Sequence, residues 1–295
     1  MDTPTRIRSV MDLVASGRSR RGASSFGEVQ DWADALRLVD GASRIAVVTG
    51  FYILEAEAAE TDGPGGALVL ARALERDGKR SLVVTDSRCF DLLAAGAAAL
   101  DGAPSLLSAD EAREIWAWSP DLLLYVERPG RCPDGCFRNM RGSDISPCTA
   151  PLDDAALEAP GRSVPIVAIG DGGNEAGMGR FRKGLALKYP SFASCLCDIT
   201  ADAALAVDVS NWGAYGLAVL LSAERGLWLG HSPDEEERLL RALASAGAVD
   251  GLTRRAEITV DGFSLEAQRE IVASLKTLWT SWMGVTSSRS GPTDA

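Results

Sequence analysis

The stretch Gly170-Asp171-Gly172-Gly173-Asn174-Glu175-Ala176-Gly177-Met178-Gly179 sets an Asp, an Asn and a Glu into a glycine-rich turn after the apolar run Ile166 to Ile169. A phosphate cradle has that outline. The Walker spacing is missing, however, and Gly170-x-Gly172-x-x-Glu175 lacks the last glycine of the dinucleotide fingerprint. Acidic side chains repel phosphate unless a metal intervenes, so hydrogen-bonding a small amino acid or holding a hard cation suits this turn better. A plain glycine turn would leave its three polar side chains without a reason.

Three more clusters carry comparable chemistry. In Glu60-Thr61-Asp62-Gly63-Pro64-Gly65-Gly66, Asp62 suits a helix N-cap and Pro64 a first helical turn. The glycines beside them let backbone N–H groups approach a ligand, as at anion-binding helix starts. From Glu127 to Ser146 the chain sets Arg128, Arg131, Arg138 and Arg141 among Glu127, Asp134, Asn139 and Asp144. A polar loop of this length in a compact domain is usually functional, and forked guanidinium groups suit carboxylates. In Val209-Ser210-Asn211-Trp212-Gly213, Asn211 can cap a following helix and Trp212 can be core.

His231 is the single histidine; standing before a capped helix, it is expected at the surface. Serine–histidine and cysteine–histidine mechanisms then lose their base. Proton transfer falls to carboxylates, tyrosine, lysine or a metal-bound water. Lys183 and Lys188 follow the glycine-rich turn as possible ion-pair partners. Cys132, Cys136, Cys148, Cys195 and Cys197 lack the spacing of a zinc ribbon or finger and read as reduced, partly buried thiols.

The elements that must position these residues alternate. Apolar runs at Ile45 to Val48, Leu82 to Val84, Leu122 to Val126, Ile166 to Ile169 and Leu205 to Val209 read as strands. Helical patterns lie between and beyond them, at Ala67 to Arg76, Asp91 to Leu100, Ala109 to Trp118 and Tyr215 to Arg225. Continuous apolar strands alternating with helices predict an α/β fold, a mostly parallel sheet with helices on both faces. Ligands bind such sheets outside the carboxyl ends of the strands, where the polar clusters fall. Ser232-Pro-Asp-Glu235 is a capping box, and Ser264 caps a last helix without one, because Ala267 stands where Glu or Gln would reach back. Val249-Asp250-Gly251 and Val260-Asp261-Gly262 read as two turns around a short irregular segment.

Arg6, Arg8, Arg18, Arg20 and Arg21 give the start of the chain a basic look. Asp2 and Asp12 interrupt it, and Ile7, Val10, Met11 and Val14 fit one face of an ordinary helix. Residues 1–285 read as a single large domain, and 286–295 as a frayed, small and polar tail. A formal charge of −11 opposes a nucleic-acid partner. No apolar run is long enough for a bilayer, so a cytoplasmic enzyme, possible as a homo-oligomer, is the expectation.

In this order the clusters resemble the D-glutamate cyclase family, in its carboxyl-terminal type of domain. The matching segments are Thr49-Gly50-Phe51, Glu60 to Pro64, Glu127-Arg128, Asp134-Gly135, Asn139-Met140-Arg141-Gly142, Gly170 to Glu175 with Gly177-Met178-Gly179, and Ser210 to Gly213. The resemblance implies closure of D-glutamate to 5-oxo-D-proline with loss of water. Glu60, Asp62, Glu127, Asp171 and Glu175 are then the candidates for acid and base. Arg128, Arg138 or Arg141 would clamp the α-carboxylate, while helix N-terminal amides stabilise the oxyanion. Thr49, Gly50, Thr61, Gly63, Asn139, Gly172, Gly173, Asn174, Ser210 and Asn211 complete the expected substrate-binding set. So many acids also admit Mg²⁺ or Mn²⁺, which prefer oxygen ligands. A non-catalytic sensor of an acidic amino acid or nucleotide would use the arginines and glycines equally, but would have no use for the surplus of acids.

Overall fold

A computed structural model describes residues 1–19 and 21–284; the tail from 286 to 295 lies outside the described residues. Six strands form one parallel sheet: β1 (Arg44–Thr49), β2 (Arg80–Thr85), β3 (Leu106–Ser108), β4 (Leu122–Val126), β5 (Ile166–Gly170) and β6 (Ala203–Ala206). Their spatial order is β3-β2-β1-β4-β5-β6. Val47 of β1 registers with Val83 on one side and Leu124 on the other. The edge strand β3 is an addition to the five expected from sequence; three half-buried residues leave too little apolar signal. β6 starts earlier than expected and ends at Ala206. Beyond it the Val207 amide still reaches the Gly170 carbonyl, but the Asp208 amide turns away to the Val14 carbonyl, so Asp208 and Val209 leave the ladder.

Both faces of the sheet are buried, which is why the strands read as unbroken apolar runs. Ile45, Val47, Leu124 and Ile169 pack into one core, Ala46, Val48, Tyr125 and Ala168 into another. The first core is closed by α1 (Thr3–Val14), α2 (Val29–Gly41), α3 (Pro64–Arg76), α4 (Phe90–Ala98), α8 (Ser210–Arg225), α9 (Pro233–Ser245) and α10 (Leu265–Trp282). The second lies under α5 (Ala112–Ala117), α6 (Asp154–Arg162) and α7 (Arg182–Lys188). The expected start signals hold: Ser232 forms its capping box with Glu235, and Ser264 accepts from the Ala267 amide alone. Ile7, Val10 and Val14 are the buried face of α1. Among the described residues no helix is long and apolar enough to cross a membrane.

The chain runs outward from β1 through β2 to β3, then returns to lay β4 on the other side of β1. This reversal opens a crevice at the carboxyl ends of β1 and β4, the switch point where doubly wound sheets bind ligands. Two helix starts meet there and cap one another. Asp62, expected to cap α3, instead accepts from the Ser210 and Asn211 amides of α8, at 2.9 and 2.8 Å. Asn211 in turn accepts from Gly63 and Gly66 at the start of α3, at 3.0 and 2.6 Å. Sequence proximity favoured each residue capping its own helix; close packing of α3 against α8 makes the exchange shorter.

Asn211→Ala removes one acceptor from two buried amides. It is expected to lower unfolding free energy by about 2 kcal/mol, at the upper end of cap deletions. Urea denaturation checks this, and a loss below about 0.5 kcal/mol would mean that the exchanged cap is not what holds the two helix starts.

Candidate active site at the switch point of the sheet

Glu127 directly follows β4 and is held at φ +44°, a left-handed conformation uncommon for a non-glycine residue. Its side chain is buried and accepts a 2.5 Å hydrogen bond from the Ser210 hydroxyl. Gly63 makes room for it: at φ +97°, a Cβ there would meet the Glu127 Cβ at 2.7 Å and Thr49 Oγ1 at 2.9 Å. Asp171, after β5, is buried with Oδ2 unpaired, and Glu60 is buried with Oε1 unpaired. Oxygens of Asp62, Glu127 and Asp171 lie within 4.8 Å of one another.

A cavity of about 220 Å³ opens onto this cluster. Glu60, Glu127, Asn139, Asn174, Arg141 and Arg21 form its polar lining, and Phe51, Ile53, Met140, Phe192 and Leu252 its apolar one. That is below the roughly 300–1,000 Å³ of pockets for drug-sized ligands, and suits a small amphipathic metabolite rather than a nucleotide.

Burial disfavours charge on every acid here. Burial first, then Glu175 and Glu60, push the Glu127 carboxyl well above its ordinary range. Burial and Asp261 do the same to Glu60. Asp171 is raised by burial, although Arg21 opposes the shift. Asp62 is pushed up to about 7 by burial and Asp261, against the amides of Asn211 and Ser210 that favour its ionised form. The nearest counter-charge is Arg21, 2.5 Å from Asp171, 2.7 Å from Asp261 and 3.9 Å from Glu127. Burial alone would lower its pKa, but the three carboxylates outweigh that and keep it charged.

Of the residues expected from sequence, Glu60, Glu127, Asn139, Arg141 and Asn174 line the cavity, with Asp62, Asp171, Thr49, Gly63 and Ser210 against the acids. Others serve the scaffold. Glu175 turns back on its own loop and accepts from the amides of Asp171, Gly172 and Gly173, the last two at 2.7 and 2.6 Å. Those glycine amides are therefore committed, and no helix follows directly; α7 begins only at Arg182. Arg128 is buried away from the cavity, bound to Asp86 at 2.6 Å and to the Gly50 carbonyl at 3.1 Å. Arg138 pairs with Asp134, and the Thr61 hydroxyl donates to the Thr259 carbonyl. Lys188 donates to Ser25, and Lys183 makes no ion pair among the described residues.

Three expectations need correcting. His231 is buried, 2.8 Å from Glu236, which also accepts from the Tyr215 hydroxyl; it lines no part of the cavity. The helix N-terminal amides expected for an oxyanion already bind Asp62 and Asn211. The paired turns belong to the site: Asp250 folds the segment by accepting from Leu252, Thr253 and Gly262, and Asp261 grips Arg21. Arg21 itself escaped sequence reasoning, because an arginine in a basic N-terminal run carries no sign of a partner 150 residues away. The repeated Val-Asp-Gly tripeptide was the available signal for Asp261. All six cysteines are free, five of them buried, and Trp212 is core.

The raised carboxyls have a consequence for stability, best measured with a chelator present. Between about pH 4 and about 7 the native protein keeps a proton on Asp62 that the unfolded chain has released. The Asp62 contribution to unfolding free energy should therefore fall as pH rises through that window and level off above it. Glu60→Gln should match the parent below pH 4 and exceed its stability at pH 8 by at least about 1 kcal/mol, the equivalent of one pKa unit. Urea unfolding at both pH values tests this; a variant weaker than the parent at pH 8 contradicts it.

Comparison with known proteins agrees with the geometry. The human mitochondrial D-glutamate cyclase is 27% identical over 241 residues, which cover 73% of this chain and 38% of that protein. The chain thus corresponds to well under half of that relative's length. The family model described as D-glutamate cyclase-like, C-terminal, matches residues 10–276, and the chain belongs to that family.

Proposed function

We propose that this protein closes D-glutamate to 5-oxo-D-proline and water, with Glu127 and Glu60 handling the protons. The observation that carries the reading is Glu127: buried, in a strained backbone conformation, held by Ser210 and facing a cavity of amino-acid size. Strain of this kind, about 1–3 kcal/mol, persists where the surroundings enforce it and clusters at functional sites. The identity of the human relative supports the substrate and its stereochemistry.

Cyclisation joins the α-nitrogen to the side-chain carboxyl carbon and breaks one C–O bond. The ammonium loses two protons and the departing oxygen gains two, so the balance closes within the substrate. The site needs only to relay them. A cluster of acids with raised pKa values holds ionised and protonated members together near neutral pH, one to take a proton and one to give it. Arg141 at the cavity wall is placed to hold the α-carboxylate, while Phe51, Ile53 and Leu252 enclose the methylene groups. Folding the substrate into this shape makes the attack intramolecular.

The oxygens of Asp62, Glu127 and Asp171, with Asp171 Oδ2 unpaired, form a set that fits Mg²⁺ or Mn²⁺. Such an ion would supply Lewis-acid polarisation of a carboxyl oxygen.

Incubating the purified protein with D- and L-glutamate, with and without Mg²⁺ or Mn²⁺, and detecting 5-oxoproline by mass spectrometry tests the reading. Product from D-glutamate is expected; none under any condition refutes it. Glu127→Gln and Asp171→Asn should each lower kcat at least about a hundredfold, roughly 2.7 kcal/mol, with the fold intact. Arg141→Ala should act mainly on KM. Unchanged turnover in both acid variants would remove these carboxylates from the reaction.

A further inference from the structure

Three backbone cradles near the crevice that could receive an anion are filled by the chain itself. Asp62 occupies the amides at the start of α8, Asn211 those of α3, and Glu175 those of residues 171–173. Glutamate nevertheless brings two carboxylates. Among the described residues the cationic side chains lining the cavity are Arg141 and Arg21. Arg141 is exposed and serves one carboxylate; nothing assigned so far serves the other.

We infer that Arg21 is the residue that recognises the second, side-chain carboxylate, and that it makes the site selective for dicarboxylic amino acids. The inference rests on the proposed reaction and deepens it. A guanidinium has five N–H donors. Two hydrogen bonds from Arg21 reach carboxylates, to Asp171 at 2.5 Å and Asp261 at 2.7 Å, and its side chain remains 20% exposed. Donors are therefore left for a ligand. Glu127 stands 3.9 Å from the same guanidinium, so a carboxylate held by Arg21 is close to the acid that handles protons.

The backbone holds Arg21 for this purpose. Asp208, beyond the end of β6, accepts from the amides of Ser16, Gly17 and Ser19, at 2.9, 3.1 and 3.4 Å, and so anchors the segment carrying the arginine. Arg21 also lines a second cavity of about 460 Å³, shared with Arg18, Ser19, Thr253 and Phe263. With Leu252 it is the wall common to both spaces. In the reaction Arg21 donates no proton. Its fixed charge stabilises the oxyanion formed when the nitrogen bonds to the side-chain carboxyl carbon, and the leaving oxygen departs as water with the two ammonium protons.

Two probes isolate this role by calorimetry. Glutarate carries both carboxylates and no amine, so it cannot cyclise. D-2-aminobutyrate carries the amine and α-carboxylate but no second carboxylate. Arg21→Gln should weaken glutarate binding roughly thirtyfold, the order of one charge-assisted pair, and leave D-2-aminobutyrate binding unchanged. Equal weakening of both probes, or no glutarate binding by the parent, overturns the inference. Should Arg21→Gln fail to fold, Arg21→Lys decides: about tenfold weaker glutarate binding supports the forked contact, and undiminished binding overturns it. Arg21-dependent glutarate binding without turnover of D-glutamate would uphold this inference and refute the proposed reaction. Turnover with an unchanged KM in Arg21→Gln would do the reverse.

Discussion

Carboxylates buried beside one another must either keep protons or find a cation, and the crevice is organised around that constraint. Glu60, Asp62, Glu127, Asp171 and Asp261 converge on a space whose main fixed positive charge is Arg21. Leaving so many acids so poorly compensated opposes folding, because charge in a weakly solvated interior is penalised. The surroundings offset this: a parallel sheet buried on both faces, two helix starts that cap one another, and an amide nest that holds Glu175. Poised protons beside a cavity are what acid–base chemistry requires, and the same arrangement admits a hard cation.

Sites of this architecture commonly present free amides to anions at helix N-termini. Here the chain has filled those positions with its own side chains. The amides thereby become rigid supports, which orient Asp62 and immobilise the loop after β5, and recognition passes to side chains around the cavity. The strand order is that of doubly wound nucleotide-binding sheets, yet the space at the switch point is small and acid-rich. Topology places the crevice, and the side chains around it, not the fold, distinguish it from a nucleotide site.

Much of this could be read along the chain. Strand and helix alternation, burial of both sheet faces and the convergence of Thr49, Asp86, Glu127 and Asp171 at one edge all follow from local apolar pattern and the geometry of parallel strands. The acids and glycines were visible because such residue types are conspicuous after apolar runs. Their allotment was not. Whether Asp62 caps α3 or α8 depends on the distance between segments remote in sequence, and whether Glu175 faces a ligand or its own loop depends on the three-dimensional course of the turn.

His231 and Arg21 mark the boundary. The histidine looked exposed because it precedes a capped helix, but it is buried against Glu236 of α9, which also accepts from Tyr215 of α8. The arginine looked like part of a basic terminus, but Asp208 draws its segment over the sheet and three acids hold its charge. Sequence alone determined the α/β class, the sheet edge where the polar clusters gather and the acidic character of that edge, since each is written in local pattern. Tertiary structure decided which acids face the cavity, which cation compensates them and which helix starts are capped by each other's side chains, because those depend on contacts between segments far apart in sequence.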